Sequence, residues 1–492
     1  MHSSPKLSRW VKFAYGVGRI AEGIKSRAFE FFLFFYYVQV LGLSGGMAGF
    51  AVGIALIIDS VIDPLIGSYS DNLNSRFGRR HPLMLASFLP LGVTFYLLFA
   101  PPAGLDGTEL FFWLLVFSVL ARASIALFHV PHMALGAELS DDYAERTGIV
   151  AMRTVFAAIG SVFALMAGLN FFMASTDKFP MGQLNPAGYP PFALAMALCM
   201  GFVILCSTVA TRSVIPSLKT MAASADQGSL VMRSFREMIG ALHNPSFRAL
   251  FTGMLFFYIV AGVHATLTLH MSTYYWEMSQ AKTSAFVIWA GGGFLLGLAI
   301  LRRAHHRFEK KLTFAMGMAM LAALTAVGPG LREIGLFPGN GHPALFPVLL
   351  GLVAVAAFFG ALAGVSGGSM MADVADEHEL IHGRRQEGIF FGAASFAGKA
   401  AGAFGHVIAG ILVDVIGFPA QAEAGSVPAE KLAQLGLLNG PMMAVVMAVG
   451  VIYFMRYDLS RHRHEEILQI LRERNVAKGI NQTSKNPPGG AP

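Results

Sequence analysis

Residues 49–66 read GFAVGIALIIDSVIDPLI, an apolar run of bilayer-crossing length that carries two carboxylates, Asp59 and Asp63. On a helix a spacing of four places both on one face, one turn apart. A charged side chain at the centre of a bilayer costs about 2.5–3.5 kcal/mol on insertion scales, so the pair needs compensation. A cation held between the carboxylates, or protons on them, would supply it. Coupling of a cation to movement across the membrane is therefore the first functional expectation.

The rest of the chain fits that frame. Of its 492 residues 55% are hydrophobic and 13% charged, about half the charged share of an ordinary soluble domain. Apolar runs recur along nearly the whole length, which predicts an all-α polytopic membrane protein with twelve spans, at roughly 13–41, 48–70, 82–101, 109–135, 148–173, 190–211, 247–275, 283–301, 311–330, 343–371, 388–417 and 436–457. The opening MHSSPKLSRWVK is short and basic and leads into a segment with internal charges, unlike a cleavable leader. Cys199 and Cys206 share one apolar segment and read as packing residues, not as a disulfide or a thiolate site.

A net charge of +7 invites a nucleic-acid reading, but its distribution points to topology. With both termini cytoplasmic, one side holds Lys6, Arg9 and Lys12, then Arg76, Arg79 and Arg80. It also holds Arg212, Lys219, Arg233, Arg236 and Arg248, the cluster Arg302, Arg303, Arg307, Lys310 and Lys311, and the tail arginines from Arg456 to Arg474. The other side holds Lys178, Lys282, Arg332 and Lys431. That asymmetry predicts a multi-pass protein of the inner (plasma) membrane with an even number of spans.

A polar, helix-forming segment (SLVMRSFREMIGAL, 229–242) divides the spans six and six. The expected organisation is a six-helix bundle over 1–211, a cytoplasmic linker with an amphipathic helix over 212–246, a second bundle over 247–457 and a partly disordered tail over 458–492, structureless from Asn475. The stretches GAELSDDYAERTGIVAMR after span 4 and MADVADEHELIHGRRQEGIFFG after span 10 repeat one punctuation, from an acidic helix end through basic residues into a new span. Two matching halves suggest a transporter that rocks about a central site.

Gly67-x-x-x-Asp71 followed by Gly78-Arg79-Arg80 resembles the loop between the second and third helices of the major facilitator superfamily. Asp71 at a helix end can pair with loop arginines and latch one conformation, or the segment can be an ordinary solvated loop. More specifically, the chain resembles the glycoside–pentoside–hexuronide:cation symporters, the melibiose-permease-like branch. The likeness runs through Tyr15-Gly16-x-Gly18, Leu41-Gly42-Leu43-Ser44, Asp59 and Asp63-Pro64, Pro131, Glu145-Arg146, Arg153, Met371-Ala-Asp-Val-Ala-Asp376, Gly383-Arg-Arg-x-Glu387-Gly388 and Lys399. It implies a major facilitator fold of twelve transmembrane helices in two pseudo-symmetric six-helix bundles. It further implies that Asp59 and Asp63 bind Na⁺, Li⁺ or H⁺, and that Arg153 and Lys399 lie near the substrate and cation sites. The branch has an acidic residue where this chain has Gly23, an aspartate where it has His129, and a threonine and an asparagine where it has Ala126 and Ile62. Phe128-His129-Val130-Pro131 also looks like the sodium-dependent lysophospholipid symporters.

Other ionisable residues point inward without that likeness. Lys399 lies mid-span in SFAGKAAGAFG (395–405), where small residues permit close helix approach, and Asp59 and Asp63 are its natural partners; the alternative is snorkelling to the interface. Arg153 reads as a site residue or as a structural partner of Glu138. In span 1, Arg19, Glu22, Ser26 and Glu30 share a broad face that lines the cavity or forms an internal salt-bridge ladder. The aromatic run from Phe29 to Tyr37 is expected against lipid and neighbouring helices, the alternative being a dedicated binding box. Arg122 and His129, seven apart, share a face, and His129 reads as a ligand or as a core histidine; His264 and His270 carry weaker versions of the same choice. Gly291-Gly-Gly suggests close packing.

One motif offers a different class of function. His378-Glu-x-x-His382 has the spacing of a zinc-protease helix, but Arg384 and Arg385 follow where a third ligand would be sought. The resulting expectation is a cation-coupled symporter of a glycoside or other sugar-like solute, with a lysolipid or other amphiphile as the alternative cargo and an intramembrane zinc protease as the remote alternative function. It has no cofactor, no nucleic-acid partner and no resident metal beyond a Na⁺ at the aspartates. It acts as a monomer in the bilayer on substrate lined by spans 1, 4, 5, 7, 8, 10 and 11.

Overall fold

A computed structural model describes residues 8–73, 75–140, 142–217, 240, 242–383 and 387–485. Among them ten helices are long and apolar enough to cross a membrane. One of these, Gln280–Glu333, is two spans: its backbone leaves the helical region at Glu309, with φ 59°. Another membrane-length helix precedes the ten. It runs over 9–40 as Arg9–Val17, Arg19–Arg27 and the π-helical stretches Ala28–Leu33 and Tyr36–Val40. The charges inside it set it apart from the other spans. Twelve spans result, as the sequence predicts.

The remaining spans are span 2 Gly45–Asn72, span 3 His81–Phe99, span 4 Gly107–Glu138 and span 5 Tyr143–Ala167, the last extended by a π-helical Gly168–Phe172. Span 6 is Tyr189–Ala210 and span 7 is Pro245–His270, with a π-helical Met271–Tyr275. Spans 8 and 9 meet at Glu309. Span 10 is Leu345–His382, span 11 Glu387–Val415, and span 12 runs from Ala429 to Phe454 through a π-helical Leu438–Met442.

Local chemistry sets the starts. Ser44 Oγ accepts from Met47 N at 3.2 Å, Asp142 Oδ1 from Glu145 N at 2.7 Å and Asn244 Oδ1 from Phe247 N at 2.9 Å, satisfying amides that a helix leaves free. Outward positions such as Leu295 and Val415 are 66% and 75% exposed, as residues meeting lipid chains must be.

The two halves meet along three seams: span 2 on span 11, span 1 on span 7, and span 5 on span 8. Glycine makes the first possible. A methyl group added at Gly410 would stand 2.0 Å from Gly45 O, and one at Gly49 would stand 2.6 Å from His406 O. The seams are bonded at the face opposite the termini. There Asp414 accepts from the amides of Gly45 and Gly46, both at 2.7 Å, and Tyr274 Oη donates to Gln39 at 3.1 Å. Gln183 donates to Thr273, Ser175 to Gln280 and Asn170 to Ser284, at 2.8, 2.8 and 2.9 Å.

Two expectations change, and a third falls on residues that are not described. The aromatic run of span 1 is buried and does not face lipid: its π-helical turns pack it against neighbouring helices, with Phe31 at the wall of the central cavity. The tail continues as a helix over Arg461–Lys485, past Asn475 where the composition reads as structureless. Its first turns dock on the end of span 10, with His464 Nε2 3.0 Å from Asp376 and Arg463 3.9 Å from Glu377. The linker's amphipathic helix lies outside the described residues, as do Lys6, Lys219, Arg233, Arg236, Arg384 and Arg385.

Candidate functional site

Asp59 and Asp63 sit on the inward face of span 2, and Lys399 of span 11 reaches both. Its Nζ lies 2.9 Å from Asp59 Oδ2 and 2.5 Å from Asp63 Oδ2. Asp59 is 7% exposed. The ion pair therefore ties the N-terminal half to the C-terminal half near the bilayer middle, and snorkelling of Lys399 to the interface is set aside.

Sequence reasoning missed a fourth member. Arg122 of span 4 places Nη1 3.9 Å from Asp59 Oδ2, and its guanidinium lies 4.8 Å from the Phe29 ring centroid. Two carboxylates and two cations thus balance. Arg122 and His129, expected to share a face of span 4, take different partners. His129 Nδ1 accepts from Arg19 and stands 3.6 Å from Glu22 Oε2. Glu22 also takes Ser26 Oγ and Lys25 Nζ, both at 3.0 Å, so the ladder within span 1 exists and extends to span 4. Arg153 lies beside Tyr15 and Arg19, not on Glu138.

Gly23 has a packing cause. A methyl group there would stand 2.1 Å from Ala157 O of span 5, so no acidic side chain fits where the melibiose-like pattern has one.

Glu138 belongs to another cluster at the terminal face. Arg79 reaches it at 2.8 Å, and Arg80 bridges it, at 2.8 Å, to Asp71, at 2.5 Å. The expected trio of Asp71, Arg79 and Arg80 is brought together, but within the N-terminal half, where it staples spans 2, 3 and 4.

A cavity of about 710 Å³ lies between the halves. It is lined from spans 1, 5, 7, 8, 9, 10 and 12, whereas spans 4 and 11, expected here, contribute nothing to its lining. Glu30 and Arg27, 3.8 Å apart, line it from span 1. His264, bonded to Asn439 at 3.1 Å, lines it from span 7. Trp276, Phe286 and Phe294 supply aromatic walls, and Gly291 of the triple glycine leaves room. His270, by contrast, is buried among Phe34, Phe35 and Phe418 with no hydrogen-bond partner among the described residues.

The zinc motif finds no such assembly. His378 packs its ring on Phe390 at 5.0 Å, the His382 side chain lies outside the described residues, and no group of three His, Cys, Asp or Glu able to hold a metal occurs among the described residues.

Comparisons with known proteins give the family and the fold. A putative glycoside/cation symporter, YagG, of Escherichia coli is 23% identical, over 95% of this chain and 96% of its own. Sodium-dependent lysophosphatidylcholine symporter 1 of Gallus gallus is 24% identical over 96% and 91%, and an isoprimeverose transporter of Lactiplantibacillus pentosus 22% over 91% and 88%. The crystal structure of the nucleoside transporter NupG superposes with a TM-score of 0.62 at 11% identity, covering 92% of this chain and 100% of that one, which shows the major facilitator fold. The model of the MFS/sugar transport protein family matches residues 14–461. The chain belongs to that family, as a major facilitator transporter of the glycoside–cation symporter group and not an enzyme.

Proposed function

We propose that the protein is a cation-coupled secondary symporter that works by alternating access, multi-pass in the inner (plasma) membrane with both termini cytoplasmic. One observation carries this reading: the ion pair of Lys399 with Asp59 and Asp63 joins the two halves. Rocking that parts spans 2 and 11 must break it. Lys399 and Asp63 are only partly buried, yet parting them leaves charges in a low-dielectric interior that must be hydrated or neutralised. A Na⁺ or a proton on the aspartates replaces the departing ammonium, so ion loading and rocking become one event. Ala126 and Ile62 offer no side-chain oxygen to a metal ion, which favours the proton over Na⁺.

For cargo we assign a glycoside or other sugar-like solute to the 710 Å³ cavity. Glu30, Arg27, His264 and Asn439 are available for hydroxyls and Trp276 for a sugar face. Glu22 and His129, which stand beside the charged cluster, and Arg153, beside Arg19, are assigned to coupling, and Asp71, Arg79 and Arg80 to holding the terminal end of the N-terminal half. The breadth of the apolar wall, with Phe286 and Phe294, favours a second reading, an amphiphile such as a lysolipid.

Proteoliposomes test both. A pH or Na⁺ gradient should drive accumulation of p-nitrophenyl glycosides or, on the second reading, of fluorescent lysophosphatidylcholine. Asp59→Asn and Asp63→Asn should each abolish accumulation. Uptake that ignores both gradients and survives both substitutions would refute cation coupling.

A further inference from the structure

On the face that carries both termini, the turn between spans 8 and 9 stands over a groove of about 1040 Å³, separate from the cavity between the halves. Arg302, Arg303 and Arg307 line one side of it, and Phe308, Phe358 and Phe359 another. The three arginines are exposed, and among the described residues none has a carboxylate at ion-pair distance. The turn 302–311 has one acidic residue, Glu309, against five Lys and Arg. The nearest acidic cluster is already engaged: Asp373 holds Lys310 at 2.7 Å and faces His464 at 3.7 Å. Arg461 adds a further positive charge at the rim, 3.5 Å from His306.

The groove therefore joins unneutralised guanidinium groups to an apolar wall. That wall continues along the outer surface of span 8 through the exposed Leu295, Leu296 and Leu298, into the depth where lipid chains lie. A free anion would satisfy the arginines and leave the wall bare, and a neutral lipid would do the reverse. Only a molecule with an anionic head and hydrocarbon chains satisfies both, and planar guanidinium groups match phosphate oxygens by paired hydrogen bonds. Basic pockets between spans at the cytoplasmic side have the position and charge to hold such headgroups.

We propose that this groove is a binding site for an anionic glycerophospholipid, its phosphate on Arg302, Arg303 and Arg307 and its chains along Phe308, Phe358 and the leucines of span 8. The site is independent of the transported solute and of the coupling ion.

Native mass spectrometry of the full-length protein tests it, with phosphatidylglycerol, phosphatidylcholine and inorganic phosphate as probes. Phosphatidylglycerol should be retained in preference to phosphatidylcholine, and inorganic phosphate should not displace it. Retention should fall by about fivefold for each arginine replaced in the series Arg302→Gln, Arg303→Gln and Arg307→Gln. Equal retention of the two lipids, displacement by phosphate alone, or unchanged retention in the triple variant would overturn the proposal. A second measurement needs no variant: photoreactive phosphatidylglycerol should label residues 299–316 or 358–362 of the unaltered protein, and labelling confined elsewhere would overturn it.

Discussion

Asp59 and Gly23 illustrate opposite ways in which a side chain is explained by what lies across a helix interface. Asp59 is legible in the sequence because a buried carboxylate is an energetic anomaly wherever it occurs. Its second partner, Arg122, is not, because helical spacing assigns a face without saying which span packs there. Removing Arg122 leaves Asp59 with a single counter-charge. Arg122→Gln should therefore lower stability by about 3 kcal/mol, and adding Asp59→Asn should recover part of that loss; thermal unfolding in detergent of both singles and the double measures the coupling. Gly23 reads in the sequence only as a missing acid. The structure supplies the cause in Ala157 O, 2.1 Å from where a methyl group would be. Gly23→Ala should cost about 1–3 kcal/mol by overpacking, and Gly23→Asp should fail to yield a monodisperse protein on size exclusion.

Among the helices, span 2 has the most exposed dependence on its partner. Its first amides are held by the Asp414 carboxylate at the end of span 11, a favourable placement of negative charge at a helix N-terminus. The contact is solvent-accessible, so its worth is about 1 kcal/mol, or roughly a fivefold bias in an opening equilibrium. Asp414→Asn should shift spin-label distances between spans 2 and 11, measured by electron paramagnetic resonance, toward the separated state at that face. Spans 8 and 9 show the limit of pattern reading in the other direction. Hydropathy separates them at the basic turn, whereas the chain hardly pauses there and breaks its helix at Glu309 alone. Span 1 was legible as unusual from Arg19, Glu22, Lys25, Arg27 and Glu30, but its π-helical turns were not. Periodicity assumes 3.6 residues per turn, and each added residue rotates the aromatic run into the seams.

Twelve spans in two halves followed from hydropathy and charge alone, since only bilayer thickness and the location of lysine and arginine enter that argument. Which spans line the cavity did not follow. Spans 9 and 12 replace 4 and 11 because Lys399 and Arg122 are committed to the aspartates and do not face the solute. The bonds between halves gather at the face opposite the termini, so covalent closure there should trap one state. In a Cys199→Ser, Cys206→Ser background, the pair Ser175→Cys and Gln280→Cys should cross-link spontaneously and stop transport in proteoliposomes, with recovery on reduction; full transport by the cross-linked protein would contradict alternating access. The seam of spans 2 and 11 sets how such motion proceeds. Where Gly49 and Gly410 meet the opposite backbone no side chains interlock, so once Asp414 releases Gly45 and Gly46 the two helices can turn on one another there with little repacking. It serves as a bearing, and the friction that sets the turnover rate resides in the charged cluster of Lys399, Asp59 and Asp63 carried beside it.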